Sequence, residues 1–375
     1  MTANGGPVEV AVVGGGLVGA ALAYGLARRG RSILLLDEGD VALRASRGNF
    51  GLVWVQGKGR GLPAYALWSQ RSARLWAELA AQLREDTAID VGHSQRGGAL
   101  IAMSEEELAG FGEMLAEISE AVGPENYEHE LLDHDGLAKL IPGLGPDVPG
   151  GSFTPYDGHV NPLRLLRALH AGFQTAGGDY RPRARLAHIE AVEGGFELRS
   201  QAGTFEAGKL VIAAGLATPD LARQVAVEAP IHPVHGQLLI TERAAPRLAI
   251  PTNIVRQTDE GGFQIGYSND ELGYVTGTRL GVLRDIAHNA VRALPYLAGL
   301  RILRTWGALR IMTPDGFPIY ARSTEHPGAF VFACHSGVTL AAVHAMICPG
   351  WIDGDGIPEE QACFSPERFD VQTTA

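Results

Sequence analysis

The sequence predicts an α/β fold in which a buried, largely parallel sheet is interrupted by an α+β body built on a mostly antiparallel sheet. Three observations carry this expectation. The chain opens with a continuous apolar strand, a glycine turn and an apolar helix. A second buried strand, "KLVIAAG", recurs at Lys209–Gly215, and the stretch Pro230–Ile311 instead holds several alternating strand candidates and one helix, Val282–Tyr296. Continuous apolar runs suit strands covered on both faces, whereas alternation suits antiparallel strands with one solvated face.

Composition narrows the function classes. At 375 residues, 46% hydrophobic and 19% charged, the chain has ample material for a core and no low-complexity tract. A formal net charge of −11 disfavours nucleic acid. Three scattered cysteines, Cys334, Cys348 and Cys363, give no disulfide framework and exclude a four-cysteine iron–sulfur cluster within this chain. They suit a reducing, cytoplasmic setting, and the short "MTANGGP" before the first strand does not read as a signal peptide. A peripheral membrane attachment is compatible with the sequence. Val8–Ala27 has the length of a membrane span, but its five glycines read as strand, turn and helix.

Val8–Val13 is the first strand. Gly14, Gly16 and Gly19 follow as G-x-G-x-x-G and lead into a helix, Leu17–Arg28, which Arg28, Arg29 and Gly30 close. Gly14 permits the tight turn, Gly16 lets a pyrophosphate reach the backbone, and Gly19 lets helix pack on strand. The pyrophosphate would meet free N–H groups at the positive helix end. The next strand, Ser32–Leu36, ends at Asp37, 21 residues beyond Gly16, where a carboxylate can accept ribose hydroxyls. Glu38 is the weaker candidate. This unit fits NAD or FAD. An NAD enzyme would continue with further strand–helix units; here a polar, glycine-spaced loop follows, "RASRGNFGLVWVQGKGRG", which favours FAD. In it Ser46 and Arg47 suit phosphate oxygens, and Gly48, Asn49, Gly51 and Leu52 suit a flat ring.

Beyond the loop, Trp68, Ser72, Leu75, Trp76, Leu79 and Leu83 fall on one helical face. Gly97–Met103 reads as a strand, and Ser104 with Glu107 as a capping box whose acidic run, Glu105–Glu107, is solvated. Asn161 and Pro162 start another helix. Near the C-terminus Arg310, flanked by Leu309, Ile311 and Met312, needs an anionic partner, and a guanidinium can hold a carboxylate by two parallel hydrogen bonds. The stretch "CHSGVTLAAVHAM", Cys334–Met346, has the wrong spacing for zinc, and Cys334 has no adjacent partner for nucleophilic work.

On these motifs the sequence resembles the D-amino-acid oxidase/glycine oxidase superfamily. The resemblance covers nearly the whole chain: the N-terminal unit, "ASRGNFG", "DGHVNPLRLLRAL", "KLVIAAG", "PVHGQLLIT", "WGALRIMTPDGFPIY" and "ACHSGVTLA". "SRGNFGLVWVQGKG" and "CHSGVTLAAVHA" resemble the flavin subunits of heteromeric dehydrogenases for D-hydroxyproline, opines or proline, and the related hydrogen-cyanide synthase subunit.

The resemblance implies a glutathione-reductase-like, Rossmann-type FAD domain, discontinuous over 1–85, 150–225 and 305–375, with a substrate domain over 86–149 and 226–304. It implies FAD contacts from Gly14, Gly16, Leu17, Val18, Gly19, Asp37, Glu38, Ser46, Arg47, Gly48, Asn49, Gly51, Leu52, Ala214, Gly215, Arg310, His335, Gly337, Val338 and Thr339. Gly337, Val338 and Thr339 would form a helix start at flavin N1 and O2, leaving Cys334 and His344 to packing. Arg310 would anchor the substrate carboxylate, while Tyr267, Tyr274 and Arg256 would shape the pocket. The expected reaction is hydride transfer from Cα of a cyclic imino acid, cis-4-hydroxy-D-proline first, to FAD. Opines, proline, or glycine and D-amino acids with oxygen are the alternatives. Electrons would pass to partner subunits carrying FMN and a [2Fe–2S] cluster.

Overall fold

The computed structural model describes residues 6–39, 45–266, 268–354 and 356–373. At its centre Val8–Val13 lies parallel to Ile33–Leu36 on one side and Gly203–Ile212 on the other. The sheet has eight strands. Its main path runs Ile319–Arg322, Ala329–Ala333, Gly203–Ile212, Val8–Val13, Ile33–Leu36, Asp179–Arg181, and a meander of Leu186–Val192 and Gly195–Ser200 pairs onto Gly203–Ile212.

Both faces are covered along Val8–Val13, Ile33–Leu36 and Ala329–Ala333, which is why these strands are apolar without alternation. Val10, Val12 and Leu35 meet a helical layer that includes Leu22, Leu26, Trp76, Leu79, Leu169 and Phe173. Ala11, Val13, Leu34 and Leu36 face Ile189, Leu198, Leu221 and Val225. Each such side chain taken from water contributes about 1.5–3 kcal/mol before entropy is charged against it.

The helices begin where their capping residues place them. Leu17–Arg28 has the expected bounds and is buried along nearly its whole length. Pro63–Thr87 takes Pro63 in its first turn and buries Trp68, Ser72, Trp76, Leu79 and Leu83. Ser104 Oγ accepts from Glu107 N at 3.2 Å, and the Glu107 carboxylate accepts from Met103 N at 2.7 Å, one residue before the cap. Asn161 Oδ1 accepts from Leu163 N and Arg164 N, starting Pro162–Thr175.

The second body has a four-stranded antiparallel sheet, ordered Val255–Gln257, Gly262–Gly266, His232–Arg243, Ile302–Met312, and a three-stranded one, Gly98–Ala102, Gly150–Thr154, Glu130–Asp133. They share a core with the Leu280–Ala293 helix through Ile101, Leu239, Ile265, Leu283 and Ile286. Strands on both sides of the expected borders at 149/150 and 304/305 pair within these sheets.

Two elements differ from the sequence reading. The helix expected over Val282–Tyr296 spans Leu280–Ala293, because Pro295 turns Leu294 out of helical geometry. The helix expected to start at Gly337 is a turn through Leu340, followed by the short helices Ala341–Met346 and Cys348–Asp353. No described helix is long and apolar enough to cross a membrane.

The first helix meets this C-terminal pair at Gly25, where an added Cβ would lie 2.0 Å from Ala345 O and 2.5 Å from Pro349 Cγ. Gly25→Ala is expected to destabilise the protein by about 1–3 kcal/mol, measured by denaturant unfolding.

Candidate functional site

The glycine turn is as tight as its spacing requires. Gly14 has φ +108°, and a Cβ on it would lie 2.3 Å from Ala213 O. On Gly19 it would lie 1.9 Å from Gly14 O. Ser46 Oγ accepts from Leu17 N at 2.9 Å, so the loop after the second strand closes over the first helical turn. A cavity of about 560 Å³ opens here, lined by Gly15, Gly16, Asp37, Ser46 and Arg47. Asp37 is buried beside Gly15, whereas Glu38 is exposed and faces Arg185 at 3.9 Å.

The opposite wall was not foreseen: Arg167, His170 and Tyr180 line it, and His170 Nε2 donates to Gly15 O at 2.8 Å. Burial lowers the pKa of His170.

Residues 46–52 form the second part of the site. The Asn49 side chain folds the loop on itself, donating to Ser46 O at 2.9 Å and accepting from Gly51 N at 2.8 Å. Trp306 Nε1 donates to Gly48 O at 3.1 Å, and a Cβ on Gly48 would lie 2.4 Å from Ala308 Cβ. Because alternate residues of a strand share a face, Trp306, Ala308 and Arg310 all look toward this loop. Arg310 is half-buried; its guanidinium lies over Gly236, where an added Cβ would meet Nη2 at 2.9 Å. Ile311 touches Gly215, the φ +60° residue after Ala214, so the strand end reaches the turn beside Gly14.

Arg256 differs from the expectation of a pocket residue. It is only 4% exposed and braces the loop, donating to Phe50 O, and to Gln264 Oε1 at 2.6 Å, while Gln264 Nε2 donates to Asn49 O at 3.2 Å. Burial brings its pKa down to about 10, so it stays charged at neutral pH. Tyr274 is 69% exposed. Tyr267 lies outside the described residues.

The third part is the turn of 335–339. Gly337 sits against Leu17 and Val18. Thr339 ties the turn to the loop, its Oγ1 accepting from Trp54 N at 3.1 Å, and to the long helix, its carbonyl accepting from Ser72 Oγ at 2.6 Å and Trp76 Nε1 at 3.1 Å. Val338 is buried and His335 exposed.

Cys334 is a packed thiol whose pKa burial pushes up to about 12. His344 is fully buried against the Tyr320 hydroxyl at 2.9 Å, its pKa pulled down to about 3 by burial. No cluster of three or more His, Cys, Asp or Glu suited to a metal occurs among the described residues.

The structure therefore brings the glycine turn, the polar loop, the Arg310 strand and the C-terminal turn into contact with one another. A family model described as "FAD dependent oxidoreductase" (DAO) matches residues 9–348. The chain belongs to this DAO family of FAD-dependent oxidoreductases.

An opine oxidase subunit of Rhizobium meliloti is 42% identical over 365 residues, 97% of this chain and 98% of that protein. The corresponding opine oxidase subunit of Agrobacterium tumefaciens (strain Ach5) is 43% identical over 369 residues, with the same coverage. The crystal structure of glycine oxidase from Geobacillus kaustophilus superposes with a TM-score of 0.87 at 25% identity, covering 96% of this chain and 98% of that one. An FAD fits the observed cradle: glycines whose missing Cβ atoms permit the tight turn, a carboxylate at the second strand end, and a cavity of about 560 Å³ lined by both.

The loop rests on Asp157, which is fully buried and accepts from Val55 N at 2.5 Å and Gln56 Nε2 at 2.7 Å. Burial pushes its pKa up from 3.8 to about 7. The folded protein therefore binds a proton that the unfolded chain releases, and the stability this adds is lost as pH rises through that window. The stability of wild type relative to Asp157→Asn should fall between about pH 4 and pH 7 and stay level above, as measured by unfolding at fixed ionic strength.

Proposed function

We propose that this FAD-dependent oxidoreductase is the flavin subunit of an opine-oxidising enzyme. Its substrate is a secondary amine α to a carboxylate. The observation that carries the reading is Arg310, half-buried over Gly236 on the face that Trp306 and Ala308 present to the Gly48 loop. The full-length likeness to opine oxidase subunits of two organisms supports the choice of substrate class.

In this reading Gly14, Gly16, Leu17, Val18 and Gly19 hold the pyrophosphate. Asp37 takes the ribose, with Glu38 outside it. Ser46, Arg47, Gly48, Asn49, Gly51 and Leu52 run along the isoalloxazine, and Ala214 and Gly215 flank the adenosine half. Gly337, Val338 and Thr339 lie at its pyrimidine edge, with His335 and Arg310 on the substrate side. The bound FAD supplies the electron acceptor.

The protein's own work is positioning. Arg310 holds the carboxylate through paired charge-assisted hydrogen bonds, which fixes Cα–H over the ring. Trp306 and Arg256 fix the loop against the strand face that carries Arg310. A neutral amine needs no dedicated base to lose hydride, and none is assigned.

The word "subunit" in the relatives' names supports transfer of electrons to partner chains, for which FMN and a [2Fe–2S] cluster are the proposed carriers. The cis-4-hydroxy-D-proline reading rests on motif resemblance alone and becomes an arm of the test. The purified yellow protein is mixed anaerobically with octopine, nopaline, cis-4-hydroxy-D-proline, proline and glycine. Bleaching by an opine, with reoxidation faster by dye than by air, is the expected result. Bleaching by hydroxyproline alone, or rapid reoxidation in air, contradicts it. Arg310→Ala should lower kcat/KM by roughly a hundredfold, about 3 kcal/mol of lost charge-assisted hydrogen bonding, with the flavin spectrum retained.

A further inference from the structure

A flavin that accepts a hydride gathers negative charge at its pyrimidine edge, and a protein favours that state by placing positive potential there. The sequence assigned this task to a helix starting at Gly337. In the structure Gly337–Leu340 is a turn, and the helix beyond it has six residues, Ala341–Met346, too short for a large end charge.

A different charge sits beside the turn. The half-buried Lys58 donates through Nζ to Ser336 Oγ and to the Tyr65 hydroxyl at 3.3 Å, and lies 5.4 Å from the Tyr65 ring centre. Tyr65 in turn donates to Ser336 Oγ at 2.9 Å. Among the described residues no carboxylate forms an ion pair with Lys58, so its field is not cancelled at contact.

The backbone carrying it is fixed. Lys58 N donates to Val55 O at 3.1 Å, Gly57 N to the Tyr127 hydroxyl at 3.0 Å, and that hydroxyl to Val55 O at 3.2 Å. Gly57 has φ +73° and Gly59 φ +92°, and a Cβ on Gly59 would lie 2.5 Å from Ala66 N. A rigid turn bounded by two left-handed glycines thus aims a cation at Ser336, one residue before Gly337. The carboxyl of Asp157, which feels the Lys58 charge, is engaged by Val55 N and the Gln56 amide.

We propose that Lys58, held by Ser336 and Tyr65, supplies the positive potential at the flavin's pyrimidine edge and so raises its reduction potential. The inference rests on the FAD placement given above. Lys58 acts across Ser336 as a positioning charge and need not touch substrate.

The test is the midpoint potential of the FAD-loaded protein, measured by equilibration with reference dyes, for wild type, Lys58→Met and Lys58→Arg. The Met variant should shift the reduced-to-oxidised equilibrium about tenfold toward oxidised, about 30 mV for a two-electron couple, and the Arg variant should hold within about threefold of wild type. If Lys58→Met does not fold, Lys58→Gln is read the same way. A Met or Gln variant with the wild-type potential overturns the role of Lys58 and leaves the FAD placement standing. A wild-type protein that takes up no FAD overturns both.

Discussion

The site depends on a buried guanidinium that holds two bodies to one loop. Arg256 belongs to the antiparallel sheet, yet its donors end on Phe50 O and on Gln264, whose own amide grips Asn49 O. A charge buried this deeply is costly unless its hydrogen bonds are satisfied. That cost is met only when the loop after the second strand lies against the sheet. Trp306 adds a neutral bond to Gly48 O from the opposite edge strand of the same sheet. The loop closing the glycine turn at Ser46 is therefore also the floor beneath Arg310.

This arrangement separates binding from chemistry. The parallel sheet supplies a nucleotide cradle of turns and strand ends, tolerant of what lies beyond it. The antiparallel sheet carries the Arg310 guanidinium, and Gly236 leaves room for its planar head. Thr339 joins the third segment to both, through Trp54 N on the loop and through Ser72 and Trp76 on the long helix. None of the three segments is complete alone.

Much of this was legible in the sequence where the signal is local. Val8–Val13, Leu17–Arg28 and the caps at Ser104 and Asn161 declare themselves through burial on both faces, glycine geometry and side chains that reach the next turn. Arg310 drew notice because a guanidinium amid apolar neighbours demands a partner, and in the structure it lies half-buried over Gly236. The turn at Gly337–Leu340 was not, because "VTLAAVHAM" has helical composition and what fixes the turn is a carbonyl bonded to Ser72 and Trp76 across more than 260 residues. Arg256 was read as a pocket residue for the same reason, since the loop carbonyl it holds, Phe50 O, lies 206 residues away and leaves no local mark. Asp157 and His170 sit at the two ends of the stretch around Asn161, which was read for its helix start and its family resemblance.

Three distant segments are proposed to form one FAD site, and hydrogen exchange of the protein with and without FAD is the measurement that tests this. FAD is expected to protect backbone amides of residues 14–19, 46–52 and 335–339 together, at one stoichiometric binding event. Protection confined to the first strand–turn–helix unit, with the loop and the C-terminal turn unchanged, would contradict it.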